Sequence, residues 1–117
     1  MLIAHNGGSI YLERRPSAGI WGGLWSFPEL STAEDASDWC QQRFAAKPAE
    51  MREWGVLRHS FSHYDLDIHP LLVRLDDASR KVNEAGDQGW YRLADMPAIG
   101  IAAPVTKLIK MTRAETE

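Results

Sequence analysis

The chain has 117 residues, of which 44% are hydrophobic and 25% charged, a composition typical of one globular domain with a single core. Its formal net charge of −3 excludes a generally basic nucleic-acid binder, so any nucleic-acid contact must rest on a local patch or a partner domain. The single cysteine, Cys40, excludes an internal disulfide and an iron–sulfur cluster on four cysteines of this chain, and it favours a reducing cytosol.

The N-terminal part of the sequence predicts a hairpin followed by a long loop. Residues 1–4 and 9–15 have strand-like patterns, and they flank Asn-Gly-Gly at 6–8, which is a hairpin signal. Residues 19–28 are rich in glycine and tryptophan and predict a loop.

A helix is predicted over residues 32–45. Ser-Thr-Ala-Glu at 31–34 is a capping box, which predicts the start of the helix, and Lys-Pro at 47–48 predicts its end. The helical period places four side chains towards the core: Ala36, Trp39, Cys40 and Phe44.

Three further strands are predicted over residues 53–59, 64–75 and 90–92. Pro70 interrupts the second of them and predicts a bulge or an edge position there. Residues 76–88 are charged and predict a loop before the third strand.

The chain is predicted to end in a helix, because Pro104 suits a first helical turn. The apolar positions of this helix are Val105, Leu108, Ile109 and Met111. The order of the elements predicts an α+β domain, with a mixed or mostly antiparallel β-sheet packed against helices.

The densest group of polar and aromatic side chains is Arg-His-Ser-Phe-Ser-His-Tyr at 58–64, just before an alternating strand pattern. Exposed turns on a rigid scaffold are common places for binding groups. The candidate binding residues are therefore Arg58, His59, Ser60, Phe61, Ser62 and His63.

Gly23 and Glu29 have the Gly-x5-Glu spacing that opens a Nudix box, a motif whose later glutamates bind Mg²⁺ from one face of a helix. Continuing the count places Gln41 and Gln42 at the paired glutamates and Ser37 at the arginine of the motif. Neutral amides are poor Mg²⁺ ligands beside carboxylates. The sequence therefore resembles a Nudix scaffold without its metal site, and it predicts neither a metal nor a catalytic residue here.

Three segments together resemble the C-terminal Nudix-like domain of the adenine DNA glycosylase family that includes bacterial MutY. They are Arg-Arg-Pro with Gly-Ile-Trp-Gly-Gly-Leu-Trp-Ser-Phe-Pro within residues 14–28, Arg-His-Ser-Phe-Ser-His at 58–63, and Ala-Ala-Pro-Val at 102–105. These segments span most of the chain in the family order, and the first two are specific as a pair.

The resemblance implies that the domain recognises 8-oxoguanine opposite adenine during base excision repair, with Phe61, Ser62 and His63 touching the damaged base. Residues 1–117 would then be a single recognition domain of a longer bacterial cytoplasmic protein. The helical catalytic domain of that protein, with its [4Fe–4S] cluster, lies outside these residues, and the recognition domain itself carries no cofactor. The implied partners are duplex DNA containing an 8-oxoguanine·adenine pair and the covalently linked catalytic domain, and no membrane.

8-Oxoguanine differs from guanine at two atoms, since N7 becomes a donor and C8 carries an acceptor oxygen. The Ser62 hydroxyl can accept from N7–H, and a main-chain N–H of the loop can donate to O8. A hydroxyl can also rotate and donate to the N7 of guanine, so we expect the main chain to provide much of the selectivity.

Two other functions stay open from the residues alone: a Nudix hydrolase of oxidised nucleotides, against which Gln41 and Gln42 argue, and a protein-interaction module. Several side chains also have a purely structural interpretation. The five tryptophans can form the core instead of a base-stacking platform. His59 can anchor its turn through hydrogen bonds, since strand-to-turn geometry does not bring it and His63 to one metal.

Phe61 can pack against the core or wedge beside a base. The arginines Arg14, Arg15 and Arg58 can contact phosphate or be solvated. Asp65 and Asp67 are expected to be solvated on one strand face.

Overall fold

The structure, a computed structural model, describes residues 1–19, 21–30, 35–76, 87–96 and 99–116. Its main sheet contains β1 (Leu2–His5), β2 (Ser9–Arg14), β3 (Trp25–Ser26), β4 (Glu50–Glu53), β7 (Leu71–Arg74) and β8 (Gln88–Arg92). A separate pair consists of β5 (Leu57–Ser60) and β6 (Asp65–Ile68), and the helices are α1 (Ala36–Phe44) and α2 (Ala103–Thr116).

The main sheet is mixed and lies between the two helices. Its strand order is β3-β2-β1-β7-β4, and β8 also pairs with β2; β1 and β7 are parallel, whereas the other pairs are antiparallel. Alternation along β1 directs Leu2 and Ala4 into the core under α1, and Ile3 into the core with the α2 side chains. The predicted α+β fold is confirmed.

The N-terminal hairpin is confirmed, with His5 opposite Ile10. The Asn6 side chain closes the turn, because its Oδ1 accepts from the Ser9 N–H at 2.9 Å. The loop predicted over residues 19–28 contains the short strand β3, which pairs with β2. Ser26, at the end of this strand, and the following Phe27 are both buried.

Helix α1 begins later than predicted. Asp35 is its N-cap, and the carboxylate accepts from the N–H groups of Ser37 at 2.8 Å and Asp38 at 3.1 Å. The capping box at 31–34 lies outside the described residues. Cys40 and Phe44 are buried as predicted, while Ala36 and Trp39 are partly buried against the same core.

The strands predicted over 53–59 and 64–75 are wrong in their extent, since each is divided between two sheets. The first divides into β4 and β5, and the second into β6 and β7. Pro70 marks the change of sheet instead of a bulge; it has no N–H to donate, and its carbonyl accepts from the Trp54 N–H at 3.0 Å. The division frees β5 and β6 to form a hairpin of their own.

The C-terminal elements follow the sequence prediction with one exception. β8 contains the predicted strand 90–92, and α2 begins one residue before Pro104. Met111 is 39% exposed, whereas Thr112 is buried and donates its hydroxyl to the Leu108 carbonyl at 2.8 Å. The buried face of α2 continues from Leu108 by a full turn, so Thr112 occupies the position assigned to Met111.

Most of the predicted loop over 76–88 falls in residues 77–86, outside the described part of the chain. In the part that is described, no helix is both long and apolar enough to cross a membrane.

Candidate nucleic-acid interface

The segment of residues 58–64 forms the end of the β5–β6 hairpin. The strands pair in register from Leu57 with Ile68 to Ser60 with Asp65. The Phe61 N–H donates to the Tyr64 carbonyl at 2.8 Å and closes the connecting loop. The two residues at the tip, Ser62 and His63, are exposed. The hairpin thus presents a hydroxyl and an imidazole to solvent.

A cluster of four rings supports this loop, and we call it the ring cluster: Trp21, His59, Phe61 and Tyr64. The ring centroids of His59 and Phe61 lie 4.7 Å apart in an edge-on arrangement. Phe61 stacks on Tyr64 at 4.7 Å with an interplanar angle of 26°. Trp21 lies 5.8 Å from both His59 and Phe61. His59 is therefore held by ring contacts with Trp21 and Phe61. Phe61 is half-buried in the ring cluster.

Trp21 belongs to the glycine- and tryptophan-rich segment within residues 14–28, which also carries the resemblance to adenine DNA glycosylases. Its loop is closed by main-chain bonds, in which the Arg15 N–H donates to the Leu24 carbonyl at 2.8 Å and the Leu24 N–H to the Trp21 carbonyl at 3.0 Å. Trp21 has a φ of 55°, in the left-handed region that non-glycine residues rarely adopt. A Cβ at Gly22 would collide with the Ser17 carbonyl oxygen, so this position requires glycine. The two segments meet at the ring cluster.

Arg58 is held by a carboxylate on the neighbouring strand. Its Nε donates to Asp67 Oδ1 at 2.8 Å and its Nη2 to Oδ2 at 3.3 Å, a fork-like pairing across β5 and β6. The bond from Arg58 holds the pKa of Asp67 below its usual value. Asp67 is thus paired as well as solvated, and the exposed Arg58–Asp67 pair links the two strands of the hairpin. Ser60 and Asp65 are exposed at the loop end of the ladder.

Arg14 and Arg15 also have protein partners. Arg14 Nε donates to the Gly23 carbonyl at 3.2 Å, and its Nη1 lies 3.9 Å from the Asp87 carboxylate. Arg15 Nη1 lies 3.5 Å from Glu29 Oε1, so the glutamate that opens the Nudix-like spacing forms an ion pair.

The positions that correspond to the Nudix metal ligands lie on α1. Gln41 and Gln42 are exposed there, as is Asp38, whereas Cys40 is buried. Within the described ranges, no group of three or more His, Cys, Asp or Glu residues is placed to hold a metal ion.

The tryptophans are mainly packed against the two cores. Trp90 is buried, and the others are partly buried beside a core: Trp21, Trp25, Trp39 and Trp54. This supports the structural interpretation of the set, although Trp21 belongs to the ring cluster as well. Of the histidines outside the loop, His5 is buried on β1 and accepts from the Gly7 N–H, while His69 is exposed.

Known proteins share the fold described above. A profile of the NUDIX domain matches residues 1–111. The chain belongs to the NUDIX domain family.

Its relatives include adenine DNA glycosylases. The enzyme of that name from Buchnera aphidicola subsp. Baizongia pistaciae (strain Bp) is 32% identical over 100 residues, which cover 86% of this chain and 28% of the relative. Among solved structures, the C-terminal domain of mouse MUTYH in complex with human PCNA has a TM-score of 0.68 at 20% identity, over 97% of this chain and 85% of that one. Shewanella oneidensis NrtR has a TM-score of 0.70 at 15% identity, over 97% of this chain and 60% of that chain. The resemblance to the C-terminal domain of adenine DNA glycosylases is confirmed.

The structure brings all six candidate residues to one hairpin: Arg58, His59, Ser60, Phe61, Ser62 and His63. Sequence reasoning missed two neighbours, Trp21 and Tyr64. The sequence shows the glycine-rich loop that contains Trp21, and it shows that Tyr64 directly follows the Phe-Ser-His motif. Only the fold shows that the rings of Trp21 and Tyr64 both contact Phe61.

Proposed function

We propose that this domain recognises 8-oxoguanine opposite adenine in duplex DNA, as the lesion-recognition part of a bacterial, cytoplasmic adenine DNA glycosylase. The observation that carries the proposal is the β5–β6 hairpin, whose exposed tip, Ser62 and His63, is supported by rings from both sequence segments. An exposed loop supported by packed rings is the arrangement expected for base recognition, because selectivity requires donors and acceptors at fixed positions.

The proposed contacts follow from the donors available at the tip. The Ser62 hydroxyl accepts from N7–H of 8-oxoguanine. The Phe61 N–H is already committed to the Tyr64 carbonyl, and we assign the main-chain donor to O8 to Ser62 or His63, which form the exposed tip. Phe61 supports the loop from below in this arrangement, and His63 contacts the DNA beside the lesion.

The remaining site residues act by holding the hairpin. Arg58 links its strands through Asp67, and His59 fixes Phe61 by edge-on packing. Ser60 is exposed at the end of β5, where its hydroxyl can reach the DNA backbone.

A linked catalytic domain completes the proposal. The chain spans 28% of the length of its Buchnera relative named adenine DNA glycosylase, which leaves ample length there for a domain that removes adenine. In this proposal the [4Fe–4S] cluster belongs to that catalytic domain and the present domain needs no cofactor.

The test is the glycosylase preference of a protein that carries this chain with its catalytic domain. Adenine removal is compared between 8-oxoguanine·adenine and guanine·adenine duplexes. Ser62→Ala removes one neutral hydrogen bond, so the preference should fall by only about 2- to 13-fold, equivalent to about 0.5–1.5 kcal/mol. Thr106→Ala, an exposed hydroxyl on α2, is the matched control and should have no effect.

Replacing Phe61, Ser62 and His63 together by glycine and serine should cost more, because it also removes the positioned main chain. If that replacement leaves the preference intact, these residues do not recognise the lesion, and a protein-interaction module becomes the better account. If Ser62→Ala alone abolishes the preference, the side chain dominates and the main-chain argument is wrong.

A further inference from the structure

The ring cluster extends beyond the recognised motif to Tyr64. Phe61 packs against Trp21 on the protein side, with ring centroids 5.8 Å apart, and stacks on Tyr64 at 4.7 Å. The angles between ring planes are 36° and 26° at these two contacts. The three rings therefore form a continuous row, tilted at the Trp21–Phe61 contact and stacked at the Phe61–Tyr64 contact, that begins on the half-buried Trp21 and reaches the hairpin loop.

Tyr64 is the exposed member of this row. It is 48% exposed although it covers Phe61, whereas Trp21 and Phe61 are both half-buried. A ring held in place by packing against other rings loses little conformational entropy when it binds a ligand. Exposed aromatic rings are the groups on which proteins stack nucleobases.

The proposed chemistry opens a base step beside this ring. An enzyme that acts on adenine takes that base out of the stack, which leaves the opposite 8-oxoguanine without its partner and loosens the stacking around it. Tyr64 lies in the same loop as Ser62 and closes it through the bond from the Phe61 N–H. If Ser62 contacts the lesion as proposed, a base next to the lesion lies beside the same hairpin tip.

Resting on the proposed function, we propose that Tyr64 stacks its exposed ring on a nucleobase adjacent to 8-oxoguanine. Ser62 and His63 would then recognise the lesion by hydrogen bonds, and Tyr64 would stabilise the opened strand by a contact that is independent of sequence. Stacking uses the ring face and not the hydroxyl, so phenylalanine should replace Tyr64 and leucine should not.

The test uses the 117-residue chain and duplexes in which 8-oxoguanine stands opposite a stable abasic-site analogue, which mimics the displaced adenine. 5-Iodouracil replaces the base on either side of the lesion, and the photo-cross-linked peptide is mapped by mass spectrometry. We expect the cross-link at Tyr64, retained in Tyr64→Phe and lost in Tyr64→Leu. Affinity should fall about 5-fold or more in Tyr64→Leu, the lower end expected for loss of base–aromatic stacking.

Thermal unfolding of each variant, with Tyr64→Phe as the matched control, establishes that the hairpin is retained. A cross-link that maps elsewhere, or equal loss of affinity in Tyr64→Phe and Tyr64→Leu, would overturn the assignment of Tyr64. Such a result would leave the proposed function standing if the amides of Ser62 and His63 still respond to the lesion. If those amides respond no more to 8-oxoguanine than to guanine, the proposed function itself fails.

Discussion

Removing the ring of Trp21 should weaken lesion recognition although this side chain lies outside the Phe-Ser-His motif. Trp21 makes two aromatic contacts with the hairpin, one to His59 and one to Phe61, each with ring centroids 5.8 Å apart. Each such pair contributes about 0.5–1.5 kcal/mol beyond the area that it buries, so the loss of two pairs in Trp21→Ala should destabilise the domain by about 1–3 kcal/mol, and the lost burial of the ring adds to this. In the described residues β5 and β6 pair only with each other, and Leu57, Leu66 and Ile68 pack the hairpin against the core. Trp21 contacts the loop end of the hairpin, so the loss of its ring should fall mainly on the geometry of that loop.

The backbone at Trp21 offers a matched pair of variants. Trp21→Ala and Trp21→Gly both remove the ring, but glycine also relieves the positive φ of 55°. Urea unfolding should therefore show Trp21→Gly to be more stable than Trp21→Ala by about 1 kcal/mol. Both variants should lower the glycosylase preference for 8-oxoguanine·adenine by about 5-fold or more, since a smaller fraction of molecules holds the loop in the binding geometry.

Trp21→Phe should keep most of the preference, because a smaller ring still packs on Phe61. The reasoning is refuted if Trp21→Gly has the stability of the unsubstituted domain and also its full preference. In that case the hairpin is oriented without the ring, and the meeting of the two sequence segments has no functional consequence.

Three further predictions concern the rest of the domain. With Mg²⁺ and 8-oxo-dGTP the chain should release no pyrophosphate, because Gln41 and Gln42 replace carboxylates; turnover above ~1 per second would contradict this. Fluorescence anisotropy should give a dissociation constant for undamaged duplex no tighter than ~10⁻⁴–10⁻⁶ M at physiological salt, and nanomolar binding would be inconsistent with the net charge of −3. Burial, with the nearby Arg74 charge, holds the pKa of His5 below its usual value of 6.5. The unfolded chain therefore binds a proton at His5 at a higher pH than the folded chain does, and the free energy of unfolding should fall as the pH drops below 6.5. His5→Gln should make this decrease smaller.

Local signals predicted the ends of the chain well. Asn6-Gly7-Gly8 specified the first hairpin, and Pro104 specified the start of α2, because turn and first-turn preferences are properties of a few adjacent residues. The N-terminus of α1 was misplaced because the capping-box pattern at 31–34 indicated the start of the helix, whereas the Asp35 carboxylate caps it.

The division of strands between two sheets could not be predicted from periodicity. β6 and β7 have compatible strand patterns and only His69 and Pro70 between them, so the sequence pattern predicts one continuous strand interrupted at Pro70. Which sheet each half joins depends on partners far along the chain, since β7 pairs with β1 and β6 with β5.

The candidate site shows the same limit. Its hairpin residues were evident as a dense polar motif, but the contact between Trp21 and Phe61 joins positions far apart in sequence. The partners of Arg58 and Arg15 were likewise set by cross-strand and loop geometry, and neither could be assigned from residue type alone.

The central claim, that the hairpin tip recognises 8-oxoguanine, is tested most directly by nuclear magnetic resonance on the ¹⁵N-labelled chain. The chain is titrated with two duplexes that differ only in carrying 8-oxoguanine or guanine opposite an abasic-site analogue. The account predicts that the amide resonances of Ser62 and His63 shift more with 8-oxoguanine, while those of exposed Gln41 and Gln42 on α1 do not change. Equal responses of the hairpin to both duplexes, or lesion-dependent shifts confined to another surface, would contradict it.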